Sequence, residues 1–173
     1  EAIVEVIEPK PKQTIGDPAC GTGGFFLAAH NYINENYKLN SDEKKFLKEK
    51  TFHGVDLLPN VIRLCAMNMY LHGIGDEESQ VKEDDSLLSD DGNRFDIVMT
   101  NPPFGKKSKE KAWSDSGKIE VNSMDYERGD FWVSTSNKQL NFVQHIKTIL
   151  KINGKCAVVV PDNVLFEGGA GEI

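Results

Sequence analysis

The stretch Asp17-Pro18-Ala19-Cys20-Gly21-Thr22-Gly23-Gly24-Phe25 restricts the fold more than any other part of the chain. Before it stands a short strand-like approach, Thr14-Ile15-Gly16. Glycines at 21, 23 and 24 permit a tight turn and let backbone approach a ligand with no side chain in the way. Residues 25–32, with Leu27, Ala28 and Ala29 inside, read as a helix packed on a sheet. Strand, Gly-rich turn and helix in that order make the first crossover of a nucleotide-binding α/β fold. The glycine spacing is not that of a dinucleotide fingerprint, and no Gly-Lys-Ser/Thr follows, so neither a pyrophosphate nor a nucleoside triphosphate is expected.

The next strand candidate, Thr51-Phe52-His53-Gly54-Val55, ends in Asp56-Leu57-Leu58-Pro59 at the same sheet edge. A carboxylate there can accept both hydroxyls of an adenosine ribose. Its competing role is to cap a helix opening near Pro59 and Asn60. The Gly-rich turn one crossover earlier favours the ribose. A third candidate, Gln80-Val81-Lys82, leads to Asp84-Asp85-Ser86-Leu87, where either aspartate can accept a hydrogen bond from an adenine amine or simply form a solvated turn.

Phe95-Asp96-Ile97-Val98-Met99 is a buried-strand run that stops at Asn101-Pro102-Pro103-Phe104. Neither proline has an N–H for a ladder, so the strand delivers stiff, irregular backbone to the carboxyl edge, where open α/β sheets bind ligands. An Asn amide oxygen, a fixed carbonyl and an aromatic face together suit an exocyclic amine on a flat ring. The bland alternative is a loop with a proline stop and a core Phe.

With these residues in place, the chain resembles the modification (methyltransferase) subunits of type I restriction-modification systems, within the N6-adenine DNA methyltransferases that use S-adenosylmethionine. The match rests on residues 17–25, Gly54-Val55-Asp56-Leu57, Asp85-Ser86-Leu87 and Asn101-Pro102-Pro103-Phe104. Asn137-Lys138-Gln139-Leu140-Asn141-Phe142-Val143-Gln144-His145 and residues 158–166 support it, in the family's order. The resemblance implies a Rossmann-like methyltransferase core, mostly parallel and flanked by helices, covering the catalytic core without the family's flanking segments at either end. It implies S-adenosyl-L-methionine as cofactor, held by Asp17, Ala19, Cys20, Gly21, Thr22, Gly23, Gly24, Asp56, Leu57, Asp85 and Ser86. Asn101, Pro102, Pro103 and Phe104 become the catalytic residues that receive a flipped adenine. The implied partners are DNA, a separate specificity subunit that reads the sequence, and a restriction subunit.

A chain of 173 residues can hold one α/β domain, and residues 1–173 are expected to be one. No apolar run approaches membrane length and no signal peptide is evident, so a cytoplasmic protein is expected. Cys20, Cys65 and Cys156 form no C-x-x-C pair and read as small apolar packers in a reducing compartment; no metal site is expected. Cys20 in the cofactor turn has no neighbouring base in the sequence to make it a nucleophile. The net charge of −7 is unfavourable for a stand-alone DNA binder, so positive surface must come from elsewhere.

Residues 60–72 read as a helix apolar around much of its circumference, hence sandwiched, and 34–50 as a polar extension of the first helix. A helix over 137–151 should stop at Asn153-Gly154, followed by a continuous buried strand at 156–160. Residues 105–136 show little periodicity and open with Lys106, Lys107, Lys109 and Lys111. They read as a mobile lid whose lysines meet DNA phosphates, or as a solvated loop. Gly168-Gly169-Ala170-Gly171 reads as a flexible link. Three rival functions stand: transfer to another planar amine (N4-cytosine, RNA adenine or protein glutamine), a non-catalytic cofactor- or DNA-binding subunit, and a nicotinamide oxidoreductase, which the turn spacing disfavours.

Overall fold

The computed structural model describes residues 1–76, 79–104, 109–113, 119–123, 126–162, 164 and 168, with backbone alone at 109–113 and 119–123. The elements are α1 (Ala2–Ile7), β1 (Ile15–Asp17), α2 (Gly24–Asn36), α3 (Ser41–Glu49), β2 (Phe52–Asp56), α4 (Pro59–Leu71), β3 (Val81–Glu83), β4 (Phe95–Thr100), β5 (Lys109–Trp113), β6 (Ile119–Ser123), α5 (Lys138–Ile149) and β7 (Leu150–Val158).

Five strands form one sheet in the order β3-β2-β1-β4-β7, and every pairing in it is parallel. β1 is central and wholly buried, as a strand flanked on both sides must be. The chain winds outward from β1 through β2 to β3, then returns to the other side of β1 with β4. The winding therefore reverses between β1 and β4, and a crevice opens at the carboxyl ends of those strands. Side chains of β4 alternate between two cores. Ile97 and Met99 join Phe26, Ala29, Ile33, Cys65 and Met69 of α2 and α4, while Val98 packs with Ile146 and Ile149 of α5. Helices thus cover both faces of the sheet. No helix among the described residues is long and apolar enough to cross a membrane.

Several expectations need correction. Residues 34–50 do not extend the first helix. α2 ends at Asn36, and α3 starts anew behind a capping box in which the Asn40 side chain accepts from Glu43 N and the Glu43 side chain from Asn40 N. α1 was not foreseen; it buries Val4 and Ile7. α4 is not sandwiched, because it buries only Cys65 and Met69 and leaves Leu64, Met67, Tyr70 and Leu71 exposed. α5 ends at Ile149, before Asn153-Gly154, and those two residues lie in an irregular stretch of β7, with Asn153 left-handed at φ 64°. β7 is an outer strand of the sheet, opposite β3, so Cys156 is exposed and Ala157, Val158 and Val159 only half-buried.

Residues 105–136 are not structureless throughout. β5 and β6 pair antiparallel, with Lys111 opposite Val121, and Tyr126 further on is buried. Lys106 and Lys107 lie outside the described residues, as do positions 169–171; Lys109 and Lys111 stand on β5.

Candidate functional site

The Gly-rich turn leaves β1 at Asp17 and is tied to β2 by Cys20 N donating to Val55 O at 2.9 Å. Gly21 and Gly23 have φ of +54° and +82°, values that cost an L side chain backbone strain. A Cβ at Gly21 or Gly24 would meet nothing within 4 Å, so that side of the turn is open to a ligand. A Cβ at Gly23 would lie 2.9 Å from Cys65 Sγ, so this glycine also lets α4 pack close.

Asp56 ends β2 beside the turn. Its Oδ2 accepts from Gly21 N at 3.1 Å and its Oδ1 from Leu58 N at 3.0 Å. It does not cap α4: the N-cap is Leu58 and Pro59 opens the helix. A carboxylate has about four acceptor sites, so two remain for ligand hydroxyls.

Asp17 is 3% exposed, and its carboxyl accepts from Ala19 N at 3.0 Å. Burial pushes its pKa up to about 7; the Ala19 N–H and the Thr100 hydroxyl pull the other way, and negative Asp56 adds to the rise. Thr100 Oγ1 is itself buried and completes no hydrogen bond of good geometry among the described residues. Cys20 is buried; its hydrogen bond with Cys65 and its burial push the thiol far up, which removes the thiolate a nucleophile would need.

After β3, Asp84 N donates to Asp56 O at 3.1 Å, while the Asp84 carboxylate pairs with Lys82 at 3.5 Å. Asp85 accepts from Leu87 N at 3.0 Å and, more weakly, from Tyr126 Oη at 3.4 Å. Ser86 Oγ donates to Pro18 O at 2.7 Å, clamping this turn to the Gly-rich one. At the end of β4, Pro102 is buried, whereas Asn101 and Pro103 are exposed and Phe104 is 59% exposed.

A pocket of about 90 Å³ gathers Ala19, Asp56, Leu57, Asp85, Ser86 and Pro103 at the carboxyl ends of β1 to β4. A larger one of about 280 Å³ lies at His53, Lys82 and Phe95 and shares Pro18, Asp84, Asp85 and Ser86 with the smaller, but it does not reach Asp56 or Pro103. The smaller pocket is the candidate site, because among the described residues it joins Ala19 of the Gly-rich turn, Asp56 and Asp85 at the strand ends, and Pro103; Cys20, Gly21, Thr22, Gly23, Gly24, Asn101, Pro102 and Phe104 do not line it, and Asp17 lines the larger one. Its wall also includes Tyr126, Lys138 and Phe142, which sequence reasoning missed. The signal was present in the 137–145 segment, but nothing local assigned it a role. No cluster of three or more potential metal ligands occurs among the described residues.

A parallel sheet reversing beside a Gly-rich turn, with an acidic residue ending the second strand, defines a Rossmann-like nucleotide-binding fold. A putative class I S-adenosylmethionine-dependent methyltransferase from Listeria monocytogenes shares the fold, at TM-score 0.58 and 16% identity over 96% of this chain and 44% of that one. The chain belongs to the N-6 DNA Methylase family, whose model matches residues 1–173. It is 39% identical to the type I restriction enzyme StySPI methylase subunit of Salmonella potsdam, over 99% of this chain and 31% of that protein. With the EcoKI methylase subunit of Escherichia coli K12 the identity is 38%, again over 99% and 31%. The crystal structure of the EcoKI M protein superposes with TM-score 0.76 over 97% of this chain and 34% of that one. The chain therefore spans about a third of the length of the curated relatives it matches.

Proposed function

We propose that the protein transfers the methyl group of S-adenosylmethionine to N6 of adenine in DNA, as the modification subunit of a type I restriction-modification system. It acts in the cytoplasm with a separate specificity subunit that reads the DNA and a restriction subunit that cuts it. Residues 1–173 serve as a single catalytic-core domain. The observation that carries this reading is the placement of Asn101–Phe104 directly after β4, with Pro103 lining the same pocket as Pro18, Ala19 and Asp56.

The open Gly-rich turn and the spare acceptors of Asp56 fit an adenosine-bearing cofactor. Asp56 accepts from the ribose, Asp85 and Ser86 frame the base, and Asp17, Ala19, Cys20, Thr22 and Leu57 complete the cradle. When bound, the cofactor supplies an electrophilic methyl on a positive sulfur. The chain's own residues present the nucleophile. An adenine within a duplex hides its amine, so the base must leave the stack at a cost of a few kcal/mol. Stacking on exposed Phe104 returns roughly 1–3 kcal/mol. Asn101 Oδ1 and the Pro102 carbonyl would accept the two N6 hydrogens, which frees the nitrogen lone pair to attack the methyl in line as its bond to sulfur breaks; S-adenosylhomocysteine leaves, and the methylated nitrogen sheds one proton to water. Rate then comes chiefly from positioning and fixed dipoles.

Base capture is tested with 2-aminopurine at the target position of a DNA site. The wild-type protein with its partners should raise the probe's fluorescence, and Phe104→Ala should reduce that signal. Equal signals would remove Phe104 from the target pocket.

A further inference from the structure

The turn bearing Asp85 and Ser86 is held from behind by a residue outside the candidate pocket. Arg128 is 5% exposed at its side chain and does not line the pocket of Asp56 and Pro103. Its Nη1 donates to Ser86 O at 3.1 Å and lies 3.4 Å from Leu87 O. The same nitrogen donates to His145 Nδ1 at 3.1 Å. Nε and Nη2 form a two-pronged pair with Asp130 at 2.9 and 2.7 Å, and the Thr148 hydroxyl donates to that carboxylate at 2.5 Å. The guanidinium is stacked 4.3 Å over the Phe131 ring. Each edge of the planar group is therefore occupied, and α5 anchors it directly through His145 and, by way of Asp130, through Thr148.

We propose that Arg128 is a positioning residue that fixes the 85–87 turn against α5 and so sets the affinity for the nucleoside end of the cofactor. This rests on the functional reading above. The turn belongs to no helix or strand, and on its pocket side its Ser86 hydroxyl holds the Gly-rich turn through Pro18 O. A carbonyl held by a rigid, charged fork in a desolvated place has little freedom, so the side chains next to it keep their aim. Lysine cannot replace the fork. A point charge on a flexible stem can satisfy Asp130 or the Ser86 carbonyl, but not both together with His145. Because Arg128's hydrogen bonds run to Ser86, Leu87, His145 and Asp130 and none to Asn101, its loss should leave the chemical step alone.

The test measures binding of S-adenosylhomocysteine, which carries the same nucleoside but no transferable methyl, alongside steady-state kinetics in the purified protein with its partners. Arg128→Lys should raise the Kd about tenfold, as a turn that holds the binding geometry only about a tenth of the time would. KM for the methyl donor should rise in step, while kcat at saturating donor stays within about twofold. Asp130→Asn, which keeps the shape and removes the charge that orients the fork, should move Kd and KM the same way if the lysine variant does not fold. A merely structural role would lower Tm and the active fraction while the folded molecules bind with unchanged Kd, and that result overturns the proposal. Wild-type binding matched by both variants overturns it too and leaves the functional reading standing. A wild type that binds no S-adenosylhomocysteine overturns that reading and this inference together.

Discussion

Replacing Asp17 with Asn should stabilise the ligand-free protein, and more so as pH rises. The buried carboxyl has its pKa raised from 3.8 to about 7, chiefly by burial. The folded state thus binds this proton more tightly than the unfolded chain does. The resulting stability is fully present below pH 4 and is lost as pH climbs toward 7, at about 1.4 kcal/mol per pH unit. Between pH 5 and pH 8 the wild type should lose about 3 kcal/mol through this group. Asn keeps the acceptor for Ala19 N, has no proton to lose, and escapes the repulsion from Asp56. The advantage of Asp17→Asn over wild type should therefore grow by about 3 kcal/mol between those pH values. His145 titrates oppositely, since burial and neighbouring Arg128 push it down to about 4, but it is common to both proteins and cancels. Urea unfolding of both proteins at pH 5 and 8 measures the difference. An Asn advantage that is the same at both pH values would refute the view that Asp17 folds with its proton on.

Two further outcomes follow from the same geometry. Asp56→Ala should weaken S-adenosylhomocysteine binding by about 1–3 kcal/mol in calorimetry, because ribose hydroxyls lose their acceptor and Gly21 N loses its anchor; unchanged affinity would restrict Asp56 to bracing the turn. Gly23→Ala should destabilise the fold by about 1–3 kcal/mol, since φ is +82° and the new methyl meets Cys65 Sγ at 2.9 Å; adding Cys65→Ala should recover the steric part only, as thermal unfolding will show.

The sheet and its site edge were legible because their signals are local. Strand, Gly-rich turn and helix lie within about twenty residues, and Asp56 and Asn101 each end an apolar run. α3 was also written locally, in Asn40 and Glu43, but its polar composition hid the single buried Leu47. α1 is six residues long, too short for periodicity to mark. The exposure of β7 and of one face of α4 depends on what lies next to them, which no run of apolar letters records. Arg128 was invisible for the same reason. Its partners are 42 positions away at Ser86 and 17 at His145, and only the fold brings them together.

The most direct test of the account is to follow the methyl group. The protein, assembled with its partner subunits, is incubated with S-adenosylmethionine labelled at the methyl and with DNA containing the recognition site, and the digested nucleosides are identified by mass spectrometry. The account predicts label in N6-methyladenine for the wild type and none for Asn101→Ala, whose S-adenosylhomocysteine affinity should stay near wild type. Label on cytosine or on protein, or an Asn101→Ala variant that methylates adenine as well as wild type, would contradict it.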